Sequence, residues 1–204
     1  MKSAVRTGIF GIIIAVLIVS FYLYLSKRMT SGGEETKQPE KVSTMDQVLE
    51  KNFAADYPGT ARSVIQWYNK IVLLMHDEKT TDSQMVDLCD QALHLFDEEL
   101  LKVNPRDSYI ASVRDDAAAF ESAGRKIVST GVCDSGDVVY FSNGGKKYAY
   151  VVASYFETEG SGYTRVYQKY CLRQDSDGKW KIVAFQLCDR DGNVTGDIIL
   201  PAAG

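Results

Sequence analysis

The sequence predicts an α+β domain carried behind one N-terminal apolar helix. Three observations predict it. A charge-free apolar run extends from Gly8 to Leu25, apolar side chains then recur every third or fourth residue as far as Phe120, and from Lys126 onward they recur every second residue between turn signals. With the first forty or so residues set aside, about 160 remain, the size of one compact domain with one core.

Hydrophobic content of 45% and charged content of 25% exclude a disordered chain and a polytopic membrane protein. The net charge of -4 is uneven along the chain. Four of the 23 bases (Lys2, Arg6, Lys27 and Arg28) flank the apolar run, so the part after Arg28 sets 19 bases against 27 acids. That acid excess argues against a nucleic-acid partner, which demands a basic face, and against a domain lying flat on an anionic leaflet.

Gly8 to Leu25 is eighteen residues long, and as a helix it spans roughly 27 Å, close to the hydrocarbon thickness of a bilayer. Tyr22 and Tyr24 stand where an interfacial aromatic belt would. A cleavable signal peptide is the rival reading. The length of the run and the sequence Tyr-Leu-Ser-Lys-Arg after it, which offers no small-x-small site, favour an uncleaved anchor whose partner is the lipid bilayer. Flanking charge nearly ties, while the short leader and long trailing chain favour the domain outside. Residues 1–28 are thus read as cytoplasmic tip and anchor. Residues 29–43, polar with Gly-Gly and Pro, are read as a flexible linker, and 44–204 as the domain, at the cell membrane on its extracytoplasmic side.

Ser43 or Thr44 can cap a short first helix holding Val48, Leu49 and Phe53, which Tyr57-Pro58-Gly59 interrupts. A second helix starts at Thr60, and its buried stripe runs from Val64 and Ile65 to Leu74 and Met75. Thr81-Asp82-Ser83-Gln84 reads as a capping box, after which the period continues through Leu88 and Ala92 to Phe96 and Leu100. Asn104-Pro105 starts another helix, which Gly124 ends. Five strands follow at 127–133, 138–142, 148–156, 163–173 and 180–187, with a short sixth segment at 198–200. Asn143-Gly144-Gly145, 159–162 and 175–178 are hairpin turns, so the sheet is read as an antiparallel meander.

Helices followed by a long, bent hairpin sheet that ends in Tyr170-Cys171-Leu172-Arg173 and Asp177-Gly178-Lys179-Trp180-Lys181-Ile182-Val183 resemble the NTF2-like superfamily. The architecture extends over about 140 residues, the motif over barely fifteen. The resemblance implies a cone with three to four helices packed on a bent antiparallel sheet. In the enzymes of that superfamily, of the ketosteroid-isomerase or SnoaL-like kind, it implies a pocket with an Asp, His or Tyr inside, and in many members dimerisation through the sheet. The whole chain also resembles small uncharacterised membrane-anchored proteins of anaerobic Gram-positive bacteria, a resemblance that carries no activity.

Function has to be argued from the site. Strict alternation places Trp180, Ile182, Ala184 and Gln186 on one face of the last strand, and neither face of the last two strands offers an acid or a histidine. His76 lies beside Asp77 and Glu78 at a helix end, and His94 borders an apolar stripe; both read as boundary residues rather than catalytic or metal-binding ones. Asp189-Arg190-Asp191-Gly192-Asn193 has the acids of a calcium loop but a displaced Gly and no distant Glu, so it reads as a turn. Cys89, Cys133, Cys171 and Cys188 lack CxxC spacing; they read as free thiols, with the hairpin register holding Cys171 and Cys188 apart.

No cofactor, metal or catalytic set is expected. Seven of the twelve tyrosines fall in the strands, either as good β-formers or as an aromatic surface. The reading that results is a non-catalytic, membrane-anchored, extracytoplasmic binding or assembly module, with a protein partner or a second copy through the sheet. The alternative is a small-molecule binder or enzyme whose cone is lined by Tyr150, Arg165, Tyr167 and Trp180.

Overall fold

A computed structural model describes residues 45–194. The apolar run at 8–25, the linker and the segment at 198–200 lie outside the described residues. Among the described residues no helix is long and apolar enough to cross a membrane. The domain is α+β: five helices precede an antiparallel sheet.

Local chemistry starts each helix. The short α1 (Met45–Leu49) buries Val48. Thr60 caps α2 (Ala61–Met75) in a reciprocal box with Ser63, and Thr81 caps α3 (Asp82–Leu93) in the same way with Gln84. One face of α2, including Val64, Ile65, Tyr68, Ile71 and Met75, is buried, as the period predicts. The helical period through Leu100 is broken, however. The chain leaves the helix after Leu93, and the amide of Ile182 donates to the Leu95 carbonyl while the Asp97 amide donates to the Ile182 carbonyl. Asp97 then caps a new helix, α4 (Glu98–Val103). The longest of the described helices, α5 (Arg106–Ser122), follows Pro105 and ends at Gly124, whose φ is 64°.

The strands are β1 (Arg125–Val132), β2 (Val139–Asn143), β3 (Lys146–Glu159), β4 (Gly162–Gln174) and β5 (Trp180–Cys188). Gly144 and Gly145 both take positive φ, which gives the two-residue β2–β3 turn the twist its strands need. β2, β3, β4 and β5 form the predicted meander, but β1 does not pair with β2. Both lie along the same edge of β3, β1 opposite residues 153–159 and β2 opposite 146–150, with an exposed 3-10 turn (Ser135–Asp137) between them.

Register decides which side chains share a face. Odd residues of β3 from Ala149 to Glu157 are buried toward the helices, opposite even residues of β4 such as Val166, Tyr170 and Leu172. In β5 the expected strict alternation fails, because Cys171 pairs with Ala184 whereas Leu172 pairs with Ile182. Val183 is therefore an extra residue, a bulge that buries both Ile182 and Val183.

Candidate functional site

Tyr150, Arg165, Tyr167 and Trp180 do not converge. The first three share the outer face of β3 and β4, whereas Trp180 lies opposite Gln174 and so shares the inner face. Alternation joins Ala184 and Gln186 to Trp180; the bulge at Val183 moves them to the other face and replaces them with Phe185 and Leu187. Trp180 is buried, its ring 5.5 Å from that of Tyr140 and its carbonyl accepting a 2.8 Å bond from the Tyr57 hydroxyl. It is a packing residue at one end of the sheet.

Between the helices and the inner face the space is filled by rings whose hydroxyls satisfy one another. Asn69, 1% exposed on α2, donates through Nδ2 to the Gly131 carbonyl, which fixes its Oδ1 to accept from Tyr155 at 2.7 Å. The Tyr155 proton is then used, so across the 2.6 Å contact between the two hydroxyls Tyr170 is the donor. The Tyr170 oxygen also lies 2.5 Å from the Gln168 side chain. That contact is with Gln168 Oε1, so the single Tyr170 proton serves two acceptors, the Tyr155 oxygen and the Gln168 carbonyl. Phe96 packs between Tyr68 and Tyr109 in the same interior, its ring 5.7 Å and 5.3 Å from theirs. Burial pushes the Tyr68 hydroxyl up to about 12 and holds those of Tyr155 and Tyr170 above the ordinary tyrosine range. These hydroxyls stay protonated and serve as structural donors.

The buried titratable groups lie beyond this network, around Phe120. The His76 ring meets the Phe120 ring edge-on at 4.7 Å, and the Arg125 guanidinium sits 4.1 Å from the same ring. His76 Nδ1 lies 2.9 Å from the Val72 carbonyl and Nε2 lies 3.0 Å from Asp116. Both ring nitrogens thus have a neighbour within hydrogen-bond reach. Arg125 binds Glu157, and both are almost wholly buried. Burial raises the Glu157 carboxyl and the Arg125 charge only partly offsets it. A second buried cation, Arg173, is held by Asp97 and Glu99.

His76, Phe120 and Arg125 line an open cleft of about 640 Å³ between the end of α2, α5 and the start of β1. Two ion pairs stand at its rim, Lys126 with Glu78 and Arg114 with Asp82, each 2.8 Å long. Glu157 is paired with Arg125, and His76 is bonded to Asp116 and to the Val72 carbonyl, so the polar atoms of these buried groups are engaged with neighbours.

The sequence reading misses this cluster. It treats His76 as a boundary residue, whereas its side chain is 9% exposed and bonded to a residue forty positions away. Glu157 was within reach of the alternation argument, since it occupies the same inner parity as Val151, Ala153 and Tyr155.

The family described as a domain of unknown function, DUF6715, matches residues 1–185. The chain belongs to the DUF6715 family. No curated protein matches it.

Two further features of this DUF6715 chain bear on chemistry. The Asp189 side chain accepts from the amides of Asp191 and Asn193 and from Asn193 Nδ2, which makes the loop a self-bonded turn, as its misplaced glycine predicts. Those bonds hold its carboxyl below the usual range. All four cysteines are free thiols, Cys89 and Cys171 being buried. Desolvation pushes both of these up to about 12, outside the range of a reactive thiolate. Among the described residues no group of three or more His, Cys, Asp or Glu side chains could hold a metal ion.

Proposed function

We propose that this chain is a membrane-anchored, non-catalytic binding or assembly module whose domain has an NTF2-like cone and faces the extracytoplasmic side. The observation that carries the reading is the saturated interior: the tyrosine hydroxyls bond one another and the buried charges pair, so the inner face has no group left to act on a substrate. Helices on one face of a sheet built around a fourteen- and thirteen-residue hairpin support the cone. The anchor is supported by the eighteen-residue apolar run at 8–25, a segment that lies inside the family match. Alkaline phosphatase fused after Gly204 tests the placement: an active fusion is expected, and an inactive one removes the outside assignment.

The cleft of about 640 Å³ favours a second reading, a small-molecule site between α2, α5 and β1. A small-molecule screen by thermal shift on the full chain separates the two. A compound whose stabilisation vanishes in Ala117→Phe, which fills the cleft, would replace the first reading by the second.

A further inference from the structure

The outer face of β3 and β4 is chemically unlike the rest of the domain. Alternate positions from 146 to 158 on β3 and from 163 to 173 on β4 share it by register, and none is Asp or Glu. The inner set of the same hairpin holds Glu157 and Glu159, and the chain after Arg28 has 27 acids against 19 bases. The two strands thus bring no acid of their own to this face, and the carboxylates that reach it from other elements stand at Arg173 and in the loop beside Lys169, away from Arg165.

Two of its cations, Arg165 and Lys169, are seated on rings. Phe156 and Tyr163 stack with centroids 5.5 Å apart and planes 11° apart, and the Arg165 guanidinium lies 5.8 Å from the Phe156 ring. Lys169 sits 4.6 Å from the Tyr150 ring and donates to the Gly192 carbonyl. Tyr163 is 71% exposed. The sheet arginines differ sharply: Arg125 and Arg173 are buried on carboxylates, but among the described residues no carboxylate pairs with Arg165. An exposed guanidinium braced by stacked aromatics and bare of acid is the composition of an interface core, rich in Tyr, Phe and Arg and depleted in Asp and Glu.

We infer that the Phe156–Tyr163–Arg165 patch, continued through Tyr167 and Lys169, docks an acidic segment of another polypeptide. The inference rests on the binding-module reading and names the chemistry of its partner. Charge complementarity selects an anionic occupant, since a second copy laid face to face would bring Arg165 and Lys169 against their own equivalents, and the stacked Phe156 and Tyr163 rings beside those cations suit the carbon-bearing side chains of a peptide, which a polyphosphate lacks.

The full chain in nanodiscs of zwitterionic lipid, titrated into a labelled short poly-glutamate peptide and followed by fluorescence anisotropy, tests it. Binding that weakens as salt rises is expected. Arg165→Glu is expected to weaken it about fivefold or more, and Tyr163→Ser to weaken it with the charge unchanged, whereas Lys102→Glu on α4 leaves it intact. Circular dichroism confirms that each variant is folded. Absence of binding, an equal loss in Lys102→Glu, or equal affinity for inorganic polyphosphate overturns the proposal. Self-association that disappears in Arg165→Glu assigns the face to a second copy and overturns it as well. A small-molecule ligand in the cleft would instead remove the binding-module reading, by a separate measurement.

Discussion

The two faces of the β3–β4 hairpin use the same strands to opposite ends. On the inner face Glu157 meets Arg125, Tyr155 meets Tyr170 and Asn69, and nearly every polar atom has an internal partner. On the outer face Arg165 and Lys169 rest on Phe156 and Tyr150, and no carboxylate stands beside them on either strand. A period of two is enough to separate a sealed polar interior from an unneutralised exterior only one residue away. Polar chemistry in a core thus does not imply a site, because a group already spent on a neighbour has nothing left to offer a ligand.

The contrast can be broken most forcefully at the inner ion pair. Arg125→Met leaves Glu157 buried without its cation and should cost about 3–5 kcal/mol in chemical denaturation. The pH dependence has a definite sign. A carboxyl raised by burial contributes stability that is present below its unfolded pKa and lost as pH rises through the folded value, and removing Arg125 takes away the charge that lowers it. The deficit of the variant should therefore grow with pH above the ordinary carboxylate range; a deficit that shrinks would show that Glu157 is not desolvated. Next in size, Tyr170→Phe removes the donor to Tyr155 and should cost about 1–3 kcal/mol with an unchanged denaturant slope. Gly192→Ala forces a side chain onto a backbone at φ 79°, with its Cβ 3.0 Å from Val152, and should cost about 1 kcal/mol. At the outer face Arg165→Ala should change stability by no more than about 0.5 kcal/mol, and a larger loss would mean that this face also holds the fold together.

Much of this architecture was legible in the residues. Thr60, Thr81 and Gly124 mark helix ends by side-chain or backbone chemistry that needs no distant partner, and paired glycines mark a hairpin. What escaped is tertiary. The helical period of 85–100 continues past Leu93, yet the chain breaks there to bond Ile182, a partner visible only once the sheet exists. The bulge at Val183 has no marker because Ile182 and Val183 are both apolar, and one inserted residue exchanged the faces of Ala184 and Gln186; Trp180, ahead of the bulge, is parted from Tyr150, Arg165 and Tyr167 by its pairing with Gln174, a register that the turn at 175–178 does not advertise. His76 and Asp116, on separate helices, could not be joined by spacing at all.

The divided edge of β3 has a practical consequence. Because β1 and β2 each hold their own stretch of that strand, the exposed turn between them carries no ladder of its own, and a peptide epitope inserted after Gly136 should leave both pairings closed. The turn thereby offers a handle for labelling the domain without touching either surface of its sheet.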